Sequence, residues 1–147
     1  FWYRRMAHES LIHRIDAEQA HGFDSDIDED LAADGIDEIL NVMLSGAPSW
    51  ASCQFAGRVA RLEVPGRSWM VRLGTFSGTS PTTGVDYVDE PTLEIVEPHE
   101  DFQAVISGSA GLVDRWMWGR ATSGDLTIQG DRSIVSDVRA IAKASTQ

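Results

Sequence analysis

At 147 residues, 42% hydrophobic and 24% charged, the chain is long enough for one packed domain plus an extension. Its 23 acidic against 12 basic residues leave a net charge of −11, which repels a nucleic-acid backbone or an anionic membrane surface and excludes both as partners. No apolar run approaches ~18 residues, so no membrane-spanning helix is expected. The lone Cys53 excludes an intrachain disulfide and favours a reducing, cytoplasmic compartment.

The chain opens FWYRRMAHE, with no initiator Met and no signal-peptide pattern, so it is expected to be the C-terminal part of something longer. From Trp2 to about His21 there is neither Pro nor Gly, and the helix formers in this run predict one long helix stopped by Gly22. Such a helix is marginal without a packing partner. Its apolar positions Met6, Leu11, Ile12, Ile15 and Ala20 find no evident partner helix nearby, so an upstream segment is expected to supply one. Residues 23–33 form an acidic stretch in which Asp24, Asp26, Asp28 and Asp30 alternate. A calcium loop would need Gly where Glu29 stands and Glu where Gly35 stands, so a solvated linker is the better reading. Asp34 is then expected to cap a short helix with Ile36, Ile39, Leu40 and Met43 on one face.

Past Gly46 the periodicity changes. Residues 55–64 and 68–74 alternate about Pro65-Gly66 and predict a hairpin. Residues 77–84, SGTSPTTG, read as a loop. Strands are expected at 92–96, 102–107 and 125–130. Helices are expected at 109–120, burying Leu112, Val113, Trp116 and Met117, and after an Asp131 cap, with Ile134, Val135, Val138 and Ile141 inward. Strands with segregated helices give an α+β domain over residues 34–147.

Glu9 and His13 stand four apart, on one helix face, where a carboxylate and an imidazole can chelate a divalent ion, zinc first among candidates. Asp16, one turn further, could hold the His13 imidazole. The same spacing also fits a solvated helix face, and two ligands alone do not make a catalytic site. His8 is rotated about 100° from Glu9 and is expected to pack inward. Cys53 has no cationic neighbour in sequence and reads as a structural thiol. Trp116 reads as core, Trp118 as interdomain packing or cavity wall, and His99 as a turn residue.

Arg5, His8, Glu9, His13, Arg14 and Asp16 carry a resemblance: RRMAHESLIHRIDAEQAHG is similar to the last helix of the metal-binding four-helix domain of mycothiol-dependent maleylpyruvate isomerases. These belong to the damage-inducible metal-binding helical-bundle superfamily. DGIDEIL, WGR and the GD before the final helix resemble the C-terminal domain of that family, itself similar to sterol-carrier-type domains. The resemblance implies residues 1–22 as the terminal helix of an otherwise missing helical domain. Residues 23–33 would be the linker, and 34–147 a sterol-carrier-like domain with a mixed or antiparallel sheet. It implies Glu9 and His13 as two of three metal ligands, the third a His from an earlier helix, and Arg120 as a bidentate clamp for a carboxylate of substrate or cofactor near the domain junction. Arg120 could equally be a cation satisfying helix carbonyls. The implied cofactors are a divalent metal, zinc by preference, and mycothiol. The implied partners are a small-molecule substrate and the missing helical domain, with a homodimer as a further expectation. The metal would lower the thiol's pKa for cis–trans isomerisation or thiol transfer, and the isolated chain is expected to show neither isomerase activity nor stoichiometric zinc. The alternative is a non-catalytic domain that binds a small apolar ligand or serves interdomain or dimer packing.

Overall fold

The computed structural model describes residues 2–23, 26–44, 47–99 and 101–146; Phe1, Asp24, Gly46 and Glu100, on which some expectations fall, lie outside them. Helix α1 spans Trp2–Ala20 and gives way to Gly22 at φ 76, a left-handed conformation that costs Gly little. Its Leu11, Ile12 and Ile15 are buried in the same core as the sheet domain, so part of its apolar face is packed by downstream residues of this chain. Met6 is 57% exposed, and Ala20 is exposed too.

Helix α2, Glu29–Glu38, starts inside the acidic stretch and runs on as a π-helical segment, Ile39–Leu44. Its cap is Asp28, whose carboxylate accepts the Leu31 N–H at 2.9 Å. The expected cap, Asp34, sits mid-helix, where it meets α1 instead. Ile36, Ile39 and Leu40 are buried as the periodicity demands.

Strands β1 (Ser52–Val64) and β2 (Arg67–Thr79) form the expected hairpin, longer at its open end than the sequence suggests. Pro65 followed by Gly66 at φ 77 is the residue pattern of a type II turn. Strand β3 (Asp86–Val96) pairs antiparallel with β2, β4 (Ala104–Ser107) runs parallel to β1, and β5 (Thr127–Gly130) pairs antiparallel with β4. The sheet is therefore mixed, in the order β3-β2-β1-β4-β5. Helices α3 (Ala110–Met117) and α4 (Arg132–Ser145) are capped by Ser109 and Asp131. Trp116, Met117, Val138 and Ala142 from these helices pack with Leu62, Val71, Leu93 and Ile106 from the sheet. The result is α+β, with a long helix docked at one end. Among the described residues no helix is long and apolar enough to cross a membrane.

Candidate functional site

Helix α1 is fastened along one side. Arg4 donates to the Asp34 carboxylate at 2.9 and 3.0 Å and to Asp37 at 3.1 Å. His8, 1% exposed, meets Asp34 Oδ2 through Nε2 at 2.9 Å, the inward packing its position implied. Further along, Arg120 grips Asp16 with both arms, Nε to Oδ1 and Nη2 to Oδ2, each at 2.9 Å. That bidentate pair holds the Asp16 carboxyl below its ordinary range and raises the Arg120 guanidinium, the Arg120–Asp16 hydrogen bond being the largest cause of both shifts.

The docking leaves a cleft of about 240 Å³ lined by Arg5, Glu9 and His13 from α1, by Trp118 and Arg120 after α3, and by Ser145 and Thr146 at the end of α4. Three of the four residues singled out from the sequence thus border one space. Glu9 Oε2 lies 3.7 Å from His13 Nε2. An ion about 2.1 Å from each donor at a tetrahedral angle would separate them by about 3.4 Å, so the pair fits a shared divalent ion after a shift of a few tenths of an ångström. Among the described residues no group of three or more His, Cys, Asp or Glu is placed to hold a metal ion. The described residues thus bring two candidate donors together at this cleft.

Asp16 is engaged mainly by Arg120. Its Oδ2 is 3.9 Å from His13 Nδ1, beyond hydrogen-bond reach, because the carboxylate is engaged by Arg120. The carboxylate that Arg120 clamps is the chain's own Asp16, where one of substrate or cofactor was expected. Arg120 Nη1 also donates to the Trp118 carbonyl.

Arg5, named from the sequence only for the motif it shares, lines the cleft, and two buried acids near it, Glu38 and Asp114, were not singled out. Arg5 Nη2 donates to Glu9 Oε1 at 2.5 Å, which turns the other oxygen toward His13. Arg5 Nη1 reaches Glu38 Oε2 at 3.3 Å, and the guanidinium lies 5.1 Å from the Trp118 ring centroid. Glu38 is 1% exposed, so a buried carboxylate anchors the arginine that orients Glu9. Arg5 and Glu9 are four apart, a spacing that could have revealed their pairing. Glu38 sits in DEIL, beside the buried Ile39 and Leu40, where nothing announces a partner on another helix. Beneath the cleft, Asp114 is 1% exposed with Oδ1 unpartnered. Burial is the main cause that pushes its carboxyl up to about 7; the Arg115 charge opposes this and Glu38 adds to it.

The class this defines is an α+β domain carrying, on a docked helix, a carboxylate–imidazole pair that faces an arginine. Residues 30–135 match the family model of the MDMPI C-terminal domain, and the chain belongs to that family, the C-terminal domain of mycothiol maleylpyruvate isomerases. Arg120 falls inside the matched residues; Glu9, His13 and Asp16 precede them. No curated protein and no solved structure matches the chain.

Proposed function

We propose that this chain supplies one wall of the active site of a mycothiol-dependent metalloenzyme of the maleylpyruvate isomerase kind, acting in the cytoplasm on a small substrate. The observation that carries the proposal is the meeting of Glu9 and His13 with Arg120 around a single cleft. Glu9 and His13 would hold a divalent ion, zinc by the chemistry of a carboxylate and an imidazole, with further ligands from a helical segment outside these residues. When bound, such an ion lowers the pKa of the mycothiol sulfhydryl and so supplies the thiolate for isomerisation or thiol transfer.

The chain's own residues do the rest. Arg5, braced by Glu38 and stacked on Trp118, holds Glu9 so that one oxygen is presented. Arg120 keeps N–H groups beyond those given to Asp16 and Trp118 and can donate them to a substrate carboxylate at the cleft. Asp16 fixes the direction of that guanidinium. The Trp118 ring and the Ile12 side chain wall the cleft against bulk water.

The test is metal content in the protein as encoded. His13→Ala should abolish stoichiometric zinc by elemental analysis while leaving the melting transition of the sheet domain in place. Arg120→Lys should keep the metal and raise KM for a dicarboxylate substrate. Retention of full metal by the His13 variant would remove His13 from the site.

A further inference from the structure

A second and larger pocket, of about 400 Å³, lies between the open half of the hairpin and helix α4. It exists because β1 bulges: Phe55 pairs with Gly74 and Arg58 with Leu73, so Ala56 and Gly57 have no partners on β2. Gly57 takes φ 70 to make that excursion. Phe55 borders the pocket, its ring lying against Gly74 on the face of the sheet that carries Arg72; a Cβ at Gly74 would lie 2.5 Å from Phe55 Cδ1. The Arg72 guanidinium, 5.0 Å from the ring centroid, holds the ring from a further side. Leu73, Pro91, Ala140 and Ile141 complete apolar walls, and the small side chains of Ala56 and Ala140 leave the space open.

One end is polar. Arg58 Nη1 donates to Asp137 at 2.8 Å and Nη2 to Ser133 Oγ at 3.2 Å, which uses two of its five N–H groups. The guanidinium side chain is 41% exposed at the pocket rim, where an anionic group can reach the remaining donors without displacing Asp137. An apolar chamber with a few convergent polar groups at one end is the anatomy of a small-ligand site. Its size limits the occupant. At about 30 Å³ per water-sized unit of liquid, 400 Å³ holds about 13 non-hydrogen atoms, too few for a sterol or a long-chain lipid and close to the roughly 12 of decanoate.

We propose that this pocket binds a medium-chain or aromatic carboxylate, its apolar body between Leu73, Pro91 and Ile141 and its carboxylate on Arg58. None of the residues lining it lines the cleft of Glu9 and His13, so the proposal stands apart from the metal-site reading.

Calorimetric titration of the full chain with sodium decanoate and, separately, 1-decanol tests it. Decanoate should saturate at one per chain. Arg58→Gln should weaken decanoate by about 10-fold or more, the loss expected for a hydrogen bond to a charged group, and leave decanol unchanged. Ala140→Phe should fill the chamber and abolish binding of both; Ala140 is exposed, so the fold has room for the larger side chain. Ala56→Leu, at an exposed bulge position, is the second filling variant and should do the same, with thermal melting confirming the fold of each. Absence of saturable decanoate binding, or wild-type affinity in both filling variants, overturns the site. Equal weakening of decanoate and decanol by Arg58→Gln overturns the assignment of the carboxylate to Arg58.

Discussion

Replacing Asp114 with Asn should change how stability depends on pH, in a direction that most carboxylates do not produce. Asp114 is 1% exposed, and its carboxyl is raised from 3.8 to about 7, chiefly by burial. The folded chain therefore holds this proton more tightly than the unfolded chain. The contribution is fully present below about 3.8 and is lost as pH rises to about 7, then stays flat. Across the whole interval, 1.36 kcal/mol per pH unit gives about 4 kcal/mol; from pH 5 to the folded value of about 7 it gives about 3 kcal/mol. Asn keeps the shape and cannot ionise. Urea unfolding of both proteins at pH 5 and pH 8 should thus show the stability gap moving in favour of Asp114→Asn by about 3 kcal/mol, a midpoint shift of about 1 to 3 M. Asp16 and Asp34, both held below their ordinary range, act in the other direction, are lost only as pH falls below about 3.8, and are common to both proteins. Parallel pH dependence of the two between pH 5 and 8 would mean that Asp114 is not neutral inside the fold, and the reasoning would fail.

Gly35→Ala places a Cβ 3.0 Å from Asp114 Oδ1 and 3.2 Å from His8 Nδ1, so crowding should outweigh the helix-propensity gain and lower stability by about 1 kcal/mol, read as a lower melting temperature. Gly74→Ala is harsher: its Cβ would sit 2.3 Å from the Gln54 carbonyl oxygen, so β1 and β2 must part and about 3 kcal/mol or more should be lost, with faster amide exchange around Gln54 and Thr75. Arg120→Lys loses the two-armed grip on Asp16, worth about 1 kcal/mol at this half-exposed position, and should speed amide exchange in α1 more than in α3.

The hairpin was legible because Pro65-Gly66 and the flanking alternation are local signals, and so was the Asp131 cap. Residues 77–79 and 86–91 were not. Their Gly, Ser, Asp and Pro content reads as loop, yet β2 and β3 pair through them, a ladder no local propensity announces. The misplaced cap has a similar cause. Asp28 and Asp34 are equally good caps by residue type, and Gly35 suggests a helix boundary. Tertiary contacts decide otherwise, since Asp34 is engaged by Arg4 and His8, and Gly35 sits where Asp114 and His8 leave no room for a Cβ. In the site, the Glu9–His13 spacing was readable at four residues, whereas Asp16 and Arg120 are partners across 104 positions and only the fold joins them.

The geometry of Glu9 and His13 is consequently a property of the domain as much as of their helix. Only His8, Leu11, Ile12 and Ile15 of α1's 19 residues are buried, too thin an apolar stripe to hold a helix of that length by itself. Polar attachments make up the difference: Arg4 to α2 near the start, Arg5 to the buried Glu38, and Asp16 to Arg120 past the middle. Two of them also define the cleft, because Arg5 orients Glu9 and Arg120 faces His13 across it. Contacts that dock the helix are therefore the contacts that aim its donors, and a substitution that loosens one should disturb the other in proportion. A Glu38→Gln chain that kept full docking of α1 but misplaced the Glu9 carboxylate would separate the two roles; the shared arginine argues that they move together.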